Sequence, residues 1–387
     1  LNSTSSQKYA VDICVPVYNA GEFIQDTIES ILAQEFADFR LLISVDQSTD
    51  NSAALCRKFI GDKRVELVEQ TSRLGFVGNS NFLMRAVEAP YMKFVPHDDL
   101  APKDLVGTLF SFMQETPDCA IAIPMLKGFG EQARDFDQFE VRGPVLRRLL
   151  DIIMNQRSVA AYHGLVRVDC PPDLRPMLPT GYLRDFEVDV YWMAMAAKRG
   201  ELRRVSGAAE HKRFRAGMTS RSWVPKATNE SRQLLVQHTA RLAELAFSVC
   251  ENAEQRQQTL MAALVRLRGL GLNWGVANAR AGQFFFRARM NRLLRRSLTG
   301  DCAEFARNVS FYRLGRALHQ DEGIVGASLL ARQLEMEIDQ LDRGKGDSTR
   351  AEKLYAKALA MDPYAGWAVP FSIRSLAGKA DGTAVET

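Results

Sequence analysis

The chain has 387 residues, 46% of them hydrophobic and 25% charged, enough for one large or two ordinary domains with substantial cores. Its net charge of +4 is too small to argue for nucleic acid, and no stretch approaches the roughly eighteen unbroken apolar residues of a membrane span. Six scattered cysteines, with no C-x-x-C pair and no histidine at zinc-ligand spacing, read as reduced thiols of a cytosolic protein.

The opening LNSTSSQKYA lacks the basic-then-apolar pattern of a signal peptide, and residues 1–8 read as a disordered polar tail. A short β-rich run, VDICV (Val11–Val15), is broken by PVYNAGEF. There Asn19 and Glu22 have the spacing of a capping box, and Ile24, Ile28, Ile31 and Leu32 recur at helical period. RLLISV (Arg40–Val45) is a second strand, DQSTDNS a polar turn, and AALCRKFI a helix ending at Gly61. VELVE (Val65–Glu69) is a third strand, and a loop around Gly75 and Gly78 leads into a helix near Asn81–Val87. YMKFV (Tyr91–Val95) is the fourth strand, followed by PHDD and the helix PKDLVGTLFSFMQ.

Strand and helix alternating through short connections predict an α/β domain with a parallel sheet covered on both faces. Ligands of such sheets gather at the carboxyl ends of the strands. Three polar clusters fall at such ends: Pro16–Asn19, Asp46–Asn51 and His97–Asp99. From about Pro225 the chain turns to long segments rich in Ala, Leu, Arg, Glu and Gln, a helical region. Within it GKGDST (Gly344–Thr349) reads as a linker. AEKLYAKALAMDP (Ala351–Pro363) looks like the second helix of one tetratricopeptide unit, with no second copy at the required period.

Adjacent Asp98 and Asp99 are hard oxygen ligands suited to Mg²⁺ or Mn²⁺, with a nucleotide diphosphate completing the shell. The bland alternative is a pair of helix caps. Asp46, at a strand end, is placed to accept the imide N–H of a uracil or thymine ring, or to cap the next helix. Tyr18 and Asn19, after Pro16, would shape the other wall of a base pocket.

The segments VPVYNAGEFIQDTIESILAQ, SVDQSTDNS, RLGFVGNSNFLMRAVEAPYMKFVPHDDLAP and DFEVDVYWMAMAAKRGELRRV, in that order, resemble the family 2 glycosyltransferases of GT-A fold over about Tyr9–Ser220. The resemblance implies a mostly parallel GT-A sheet flanked by helices over residues 9–225, with an all-α region over 226–387. It also implies inverting transfer from a nucleotide sugar, a UDP-sugar by preference, to a hydroxyl of a glycan or lipid-linked acceptor in surface polysaccharide synthesis. By that match Pro16, Val17, Tyr18, Asn19 and Asp46 form the nucleotide pocket, with Asp98 and Arg215 reaching its diphosphate. Asp99 and Asp98 hold a divalent metal, Mn or Mg. The catalytic base falls on Asp189, eleven residues before Gly200, with Glu187 its rival. His97, Arg73, His211 and Arg213 are placed at the donor sugar or phosphate, each with a solvated turn or loop as its bland alternative.

The departures are Gln47 where the family commonly has a second acid, Pro96 in place of the first metal-motif aspartate, Arg73 for an asparagine, and Val188 before Asp189. They leave a second reading open: a catalytically silent GT-A scaffold whose helical tail recruits a partner. RAGQFFFRARMNRLLRR (Arg280–Arg296) carries six arginines and no acid among its aromatic and apolar residues. It reads as a peripheral contact with anionic lipid or as a helix packed on the rest of the chain. The expected location is cytoplasmic, at the inner face of the membrane in the first case.

Overall fold

The structure is a computed structural model and describes residues 9–131, 133–135, 140–155, 160–169, 175, 177–215, 228–272, 293–309, 349–350 and 353. Residues 344–348 of the linker, all of the tetratricopeptide-like stretch but Lys353, and most of Arg280–Arg296 lie outside the described residues. So do residues 216–227.

Two compact units divide the chain: Leu1–Val145 with Arg157–Ser231, and Leu146–Gln156 with Arg232–Thr387. The first is built on a seven-stranded sheet. Its strands are β1 (Val11–Val17), β2 (Phe39–Val45), β3 (Val65–Glu69), β4 (Tyr91–Phe94), β5 (Cys119–Gly130), β6 (Leu165–Arg167) and β7 (Glu201–Phe214), in the order β3-β2-β1-β4-β6-β5-β7. β1 to β4 pair in parallel, and so do β5 and β7; only β6 runs against its neighbours. The mostly parallel GT-A-like sheet expected from the sequence is therefore present.

The connecting helices are α1 (Ile24–Leu32), α2 (Ser52–Arg57), α3 (Gly75–Ala86), α4 (Leu105–Glu115) and, before β7, α6 (Val188–Arg199). Helices on its faces bury the central strands on both sides, which is why β1 and β2 read as nearly unbroken apolar runs. Ile13, Val15, Phe39, Leu41 and Ile43 are all buried, together with Ile24, Ile28 and Ile31 of α1. Lys93, in the middle of β4, is a fully buried charge among these apolar residues.

Several local expectations shift. α1 begins only at Ile24, with no side-chain cap on Phe23, because Asn19 adopts φ 46° and turns its carboxamide to the 48–49 loop. The capping box does not form. α2 stops at Arg57 rather than Gly61, and the intervening residues close turns of their own, such as Asp62 N–H to the Phe59 carbonyl. α3 starts at Gly75 itself, so Gly78 is helical. His211 and Arg213, for which the bland alternative is a solvated loop, are instead at the end of β7, because β5 runs on to Gly130 and pairs there with Phe214.

The second unit is helical in its described residues. It holds α5 (Val145–Asn155), α7 (Thr228–Phe247), α8 (Ala253–Leu272) and α9 (Gly300–Asn308). Within it Arg147 pairs with Asp151, and Arg266 donates to the Ile153 carbonyl at 3.2 Å.

Candidate active site

The carboxyl ends of β1, β2 and β4 stand side by side, and the three polar clusters meet there. His97 Nδ1 lies 3.3 Å from the Pro16 carbonyl. The Asn19 carboxamide oxygen accepts the Thr49 N–H at 2.8 Å, and the Asn19 N–H goes to Ser48 Oγ at 3.1 Å. Val17 is buried in β1 while Tyr18, the next residue, is exposed.

Asp46 is buried where β2 ends. Its two oxygens accept the N–H groups of Leu74 (2.7 Å) and Gly75 (2.9 Å), and the Arg73 guanidinium adds an ion pair at 3.3 Å. Gly75 supplies the φ of 72° that turns consecutive amides toward one carboxylate, a conformation most side chains resist. Arg73 also lies over the Tyr18 ring, 3.1 Å from its centroid. The structure thus places Arg73 with Tyr18 and Asp46 at the end expected to hold the base.

Asp98 and Asp99 are not helix caps: α4 starts later, at Leu105, after Asp104. Asp98 Oδ2 faces the Arg215 Nε at 3.3 Å, and its carbonyl accepts the Arg213 Nε at 3.0 Å. Arg213 lies between the Phe23 and Phe129 rings, and Arg215 lies over Phe23 as well. His211, further back along β7, exchanges backbone hydrogen bonds with Leu100 and meets Phe129 edge-on.

Asp99 is buried. One oxygen accepts the Arg213 N–H at 2.8 Å, while Oδ2 has no hydrogen-bond partner and lies 3.5 Å from Lys212 Nζ and 3.7 Å from His163 Nδ1. Burial, opposed by Lys212, pushes its pKa up to about 7. This buried oxygen makes no hydrogen bond and, with Asp98 beside it, supplies the hard oxygen ligands that fit a divalent metal, Lys212 being the cation now nearest to it.

Behind Asp99 lies a group the sequence did not reveal. Lys93 donates to Glu210 and to the His163 carbonyl, and His163 Nδ1 contacts Glu210 Oε1 at 2.6 Å. All three are buried. Burial holds the His163 pKa below its usual value; for Glu210, burial pushes upward but is outweighed by Lys93 and His163 together, which hold it below its own. Asp99, His163 and Glu210 each bring one ligand-type atom within 4.8 Å of the others. No sequence signal marks Lys93, His163 and Glu210 as a group, because they come from β4, a 3₁₀ turn over Ala160–His163 and β7.

Asp189 is the second residue of α6, half-buried, with Oδ1 accepting the Val190 N–H at 2.9 Å. Desolvation raises its pKa, and Lys212 acts against that rise just as it does for Asp99. The field of one ammonium thus reaches both carboxylates. Glu187 takes the N-cap position of the same helix in a left-handed conformation, φ 55°. Leu183, Arg184 and Asp185 before it also have positive φ. The backbone entering α6 is therefore strained over several residues, as is common near reactive sites.

The sequence profile described as glycosyl transferase family 2 matches residues 12–161, a span that holds Pro16–Asn19, Asp46 and Asp98–Asp99. Residues 12–161 thus carry the family 2 glycosyltransferase profile. Glycosyltransferase GlyG of Streptococcus pneumoniae serotype 4 is 28% identical over 38% of this chain and 50% of its own length. The UDP-Glc:alpha-D-GlcNAc-diphosphoundecaprenol beta-1,3-glucosyltransferase WfgD of Escherichia coli is 32% identical over 24% of this chain and 36% of its own. The matches thus span half or less of these curated relatives. The crystal structure of S. aureus TarS 1–349 in complex with UDP-GlcNAc superposes with a TM-score of 0.54 at 17% identity, over 74% of this chain and 82% of that one. That likeness supports the GT-A-like fold of the glycosyltransferase domain. No helix among the described residues is long and apolar enough to cross a membrane.

Proposed function

We propose that this chain transfers a sugar from a nucleotide-sugar donor, a UDP-sugar by preference, to a hydroxyl of a glycan or lipid-linked acceptor, inverting the anomeric centre. The observation that carries this reading is the convergence of Asp46, Asp98 and Asp99 at the carboxyl ends of β2 and β4, bridged by Pro16–His97 and Asn19–Thr49 contacts. The printed names of WfgD and of the TarS complex, both involving UDP-sugars, agree with the donor class.

In this reading Pro16, Val17, Tyr18, Asn19 and Asp46 hold the nucleobase end, with Arg73 closing over Tyr18. A divalent cation, Mn or Mg, would be held by Asp98 and Asp99 and would offset the charge growing on the departing diphosphate. Arg215, beside Asp98, and Arg213 and His211, on the same strand end, add fixed positive charge and donors suited to phosphate oxygens. His97 lies between the β1 end and the acidic pair, within reach of the donor sugar. Asp189 takes the proton from the acceptor hydroxyl as that oxygen forms the new glycosidic bond and the nucleoside diphosphate leaves with its bonding electrons. Desolvation raises its proton affinity, which suits a base. Glu187 would then set the start of α6 rather than receive the proton.

Residues 9–225 are proposed as the catalytic domain and 226–387 as a separate helical region, acting at the cytoplasmic side of a membrane through Arg280–Arg296. The test is direct: the protein is incubated with UDP-sugars and Mn²⁺, and slow hydrolysis to UDP is followed without any acceptor. Hydrolysis that disappears in Asp98→Ala is expected. Absence of both hydrolysis and UDP binding with every uridine and thymidine nucleotide sugar would instead favour the silent-scaffold reading.

A further inference from the structure

The buried group behind Asp99 has no task in the transfer itself, yet its arrangement is specific. Lys93 is fully enclosed in a central strand, and a buried ammonium persists only with a partner. Glu210 is that partner through one oxygen, and its other oxygen accepts from His163 Nδ1 at 2.6 Å. A carboxylate accepts and cannot donate, so the His163 proton must sit on Nδ1 and point at Glu210. It is thereby withheld from Asp99 Oδ2, only 3.7 Å from the same nitrogen. Asp99 is fixed through its other oxygen by the Arg213 N–H, and Oδ2 keeps no hydrogen-bond partner.

We propose that Lys93, Glu210 and His163 are positioning residues: by directing the imidazole N–H to Glu210 they keep Asp99 Oδ2 open for a divalent cation. The proposal rests on the reading that Asp98 and Asp99 take such a cation with the donor. Lys93 sets the charge of Glu210, Glu210 sets the tautomer of His163, and the tautomer decides whether the imidazole N–H joins the Lys212 ammonium, 3.5 Å away, in competing with a metal for Oδ2. Outer groups of this kind tune metal affinity without touching the ion.

Two double variants separate positioning from mere support. K93M/E210Q removes the buried ion pair but leaves an amide oxygen to accept the His163 N–H. K93M/E210L removes the ion pair and the acceptor, freeing the imidazole N–H to turn to Asp99. Binding of Mn²⁺ in the presence of UDP is titrated by the electron paramagnetic resonance of the free ion. The dissociation constant is expected to stay near that of the unaltered chain in K93M/E210Q and to rise about 10- to 100-fold in K93M/E210L. Equal constants in the two folded variants would overturn the proposal while leaving the metal reading intact. Absence of saturable Mn²⁺ binding in the unaltered protein would overturn that reading, and this one with it. A second measurement does not depend on the double variants folding. Nitrogen NMR of the imidazoles, with His163 assigned by its loss in His163→Asn, is expected to find the proton on Nδ1; a bare Nδ1 would also overturn the proposal.

Discussion

Asp189 lies one residue inside α6, where its carboxylate meets the Val190 N–H and little else that would favour its charge. The proposed base role makes two claims on that residue. Asp189→Asn is expected to lower kcat by about 10²- to 10⁴-fold, the usual worth of a positioned proton acceptor, while the melting point holds or rises because a desolvated charge is removed. Because its pKa is raised, the charged base form is lost at a higher pH than for an ordinary carboxylate. The acid limb of kcat/KM is therefore expected to fall above the usual aspartate value of about 4. Asp12 is the contrasting case, an acid whose worth is structural. Buried at the start of β1, it binds Arg40 through both oxygens (2.9 and 2.8 Å) and accepts the Glu88 and Ala89 N–H groups. Asp12→Ala leaves two amides without their acceptor and Arg40 with only Glu66, Glu88 and the Ala86 carbonyl, and should cost about 3 kcal/mol by denaturant titration with kcat unchanged. The sequence marked Asp46, Asp98 and Asp99 because each follows a recognisable strand, and Asp189 through the glycosyltransferase resemblance. It gave no hint of Lys93 with His163 and Glu210, whose pairing exists only once β4, the 3₁₀ turn and β7 come together.

At the level of elements, junctions carry more information than interiors. Gly200 joins α6 to β7 in extended backbone, and a Cβ there would lie 2.5 Å from the Asp118 carbonyl oxygen and 3.0 Å from the Ala120 nitrogen. The requirement is close approach to β5, not an unusual φ. Gly200→Ala is expected to destabilise the first unit by about 1–3 kcal/mol, read as a lower urea midpoint. Helical periodicity placed α1 correctly, whereas its cap failed: Asn19 had two uses open to it, and the contact with Thr49 across the β1–β2 crevice won. The acidic end of β2 likewise sets where α3 starts, since Asp46 gathers the Leu74 and Gly75 amides. In the second unit, His238 of α7 is buried, and burial first, then the Arg266 charge, holds its pKa well below the usual value. The neutral ring is retained on folding but gains a proton on unfolding once the pH drops below about 6.5. Stability of that unit should therefore be complete above pH 6.5. It should decline by about 1.4 kcal/mol per pH unit below that, until the folded-state pKa is reached. His238→Leu should flatten this acid slope, measured as urea midpoints across pH 4–7.

For the molecule as a whole, the proposed donor site is a linkage between ligand and stability. A ligand that binds only the folded state adds about 2.7 kcal/mol at a hundred times its dissociation constant. UDP with Mn²⁺ should thus raise the transition of the first unit, and Asp98→Ala should abolish the metal-dependent part of the rise while leaving the unliganded transition in place. A shift identical in both proteins would remove Asp98 from the metal site. The order of strands and helices, the glycosyltransferase resemblance and the acidic residues at strand ends were set by the sequence alone. Hydrophobic period, turn residues and motif spacing are local properties that each segment carries wherever it sits. What needed the tertiary structure was the antiparallel β6, the long β5–β7 pair and the buried Lys93–Glu210–His163 group. Those depend on contacts between residues tens of positions apart, and on which buried charge finds its partner in a medium where an unpaired one is too costly to keep.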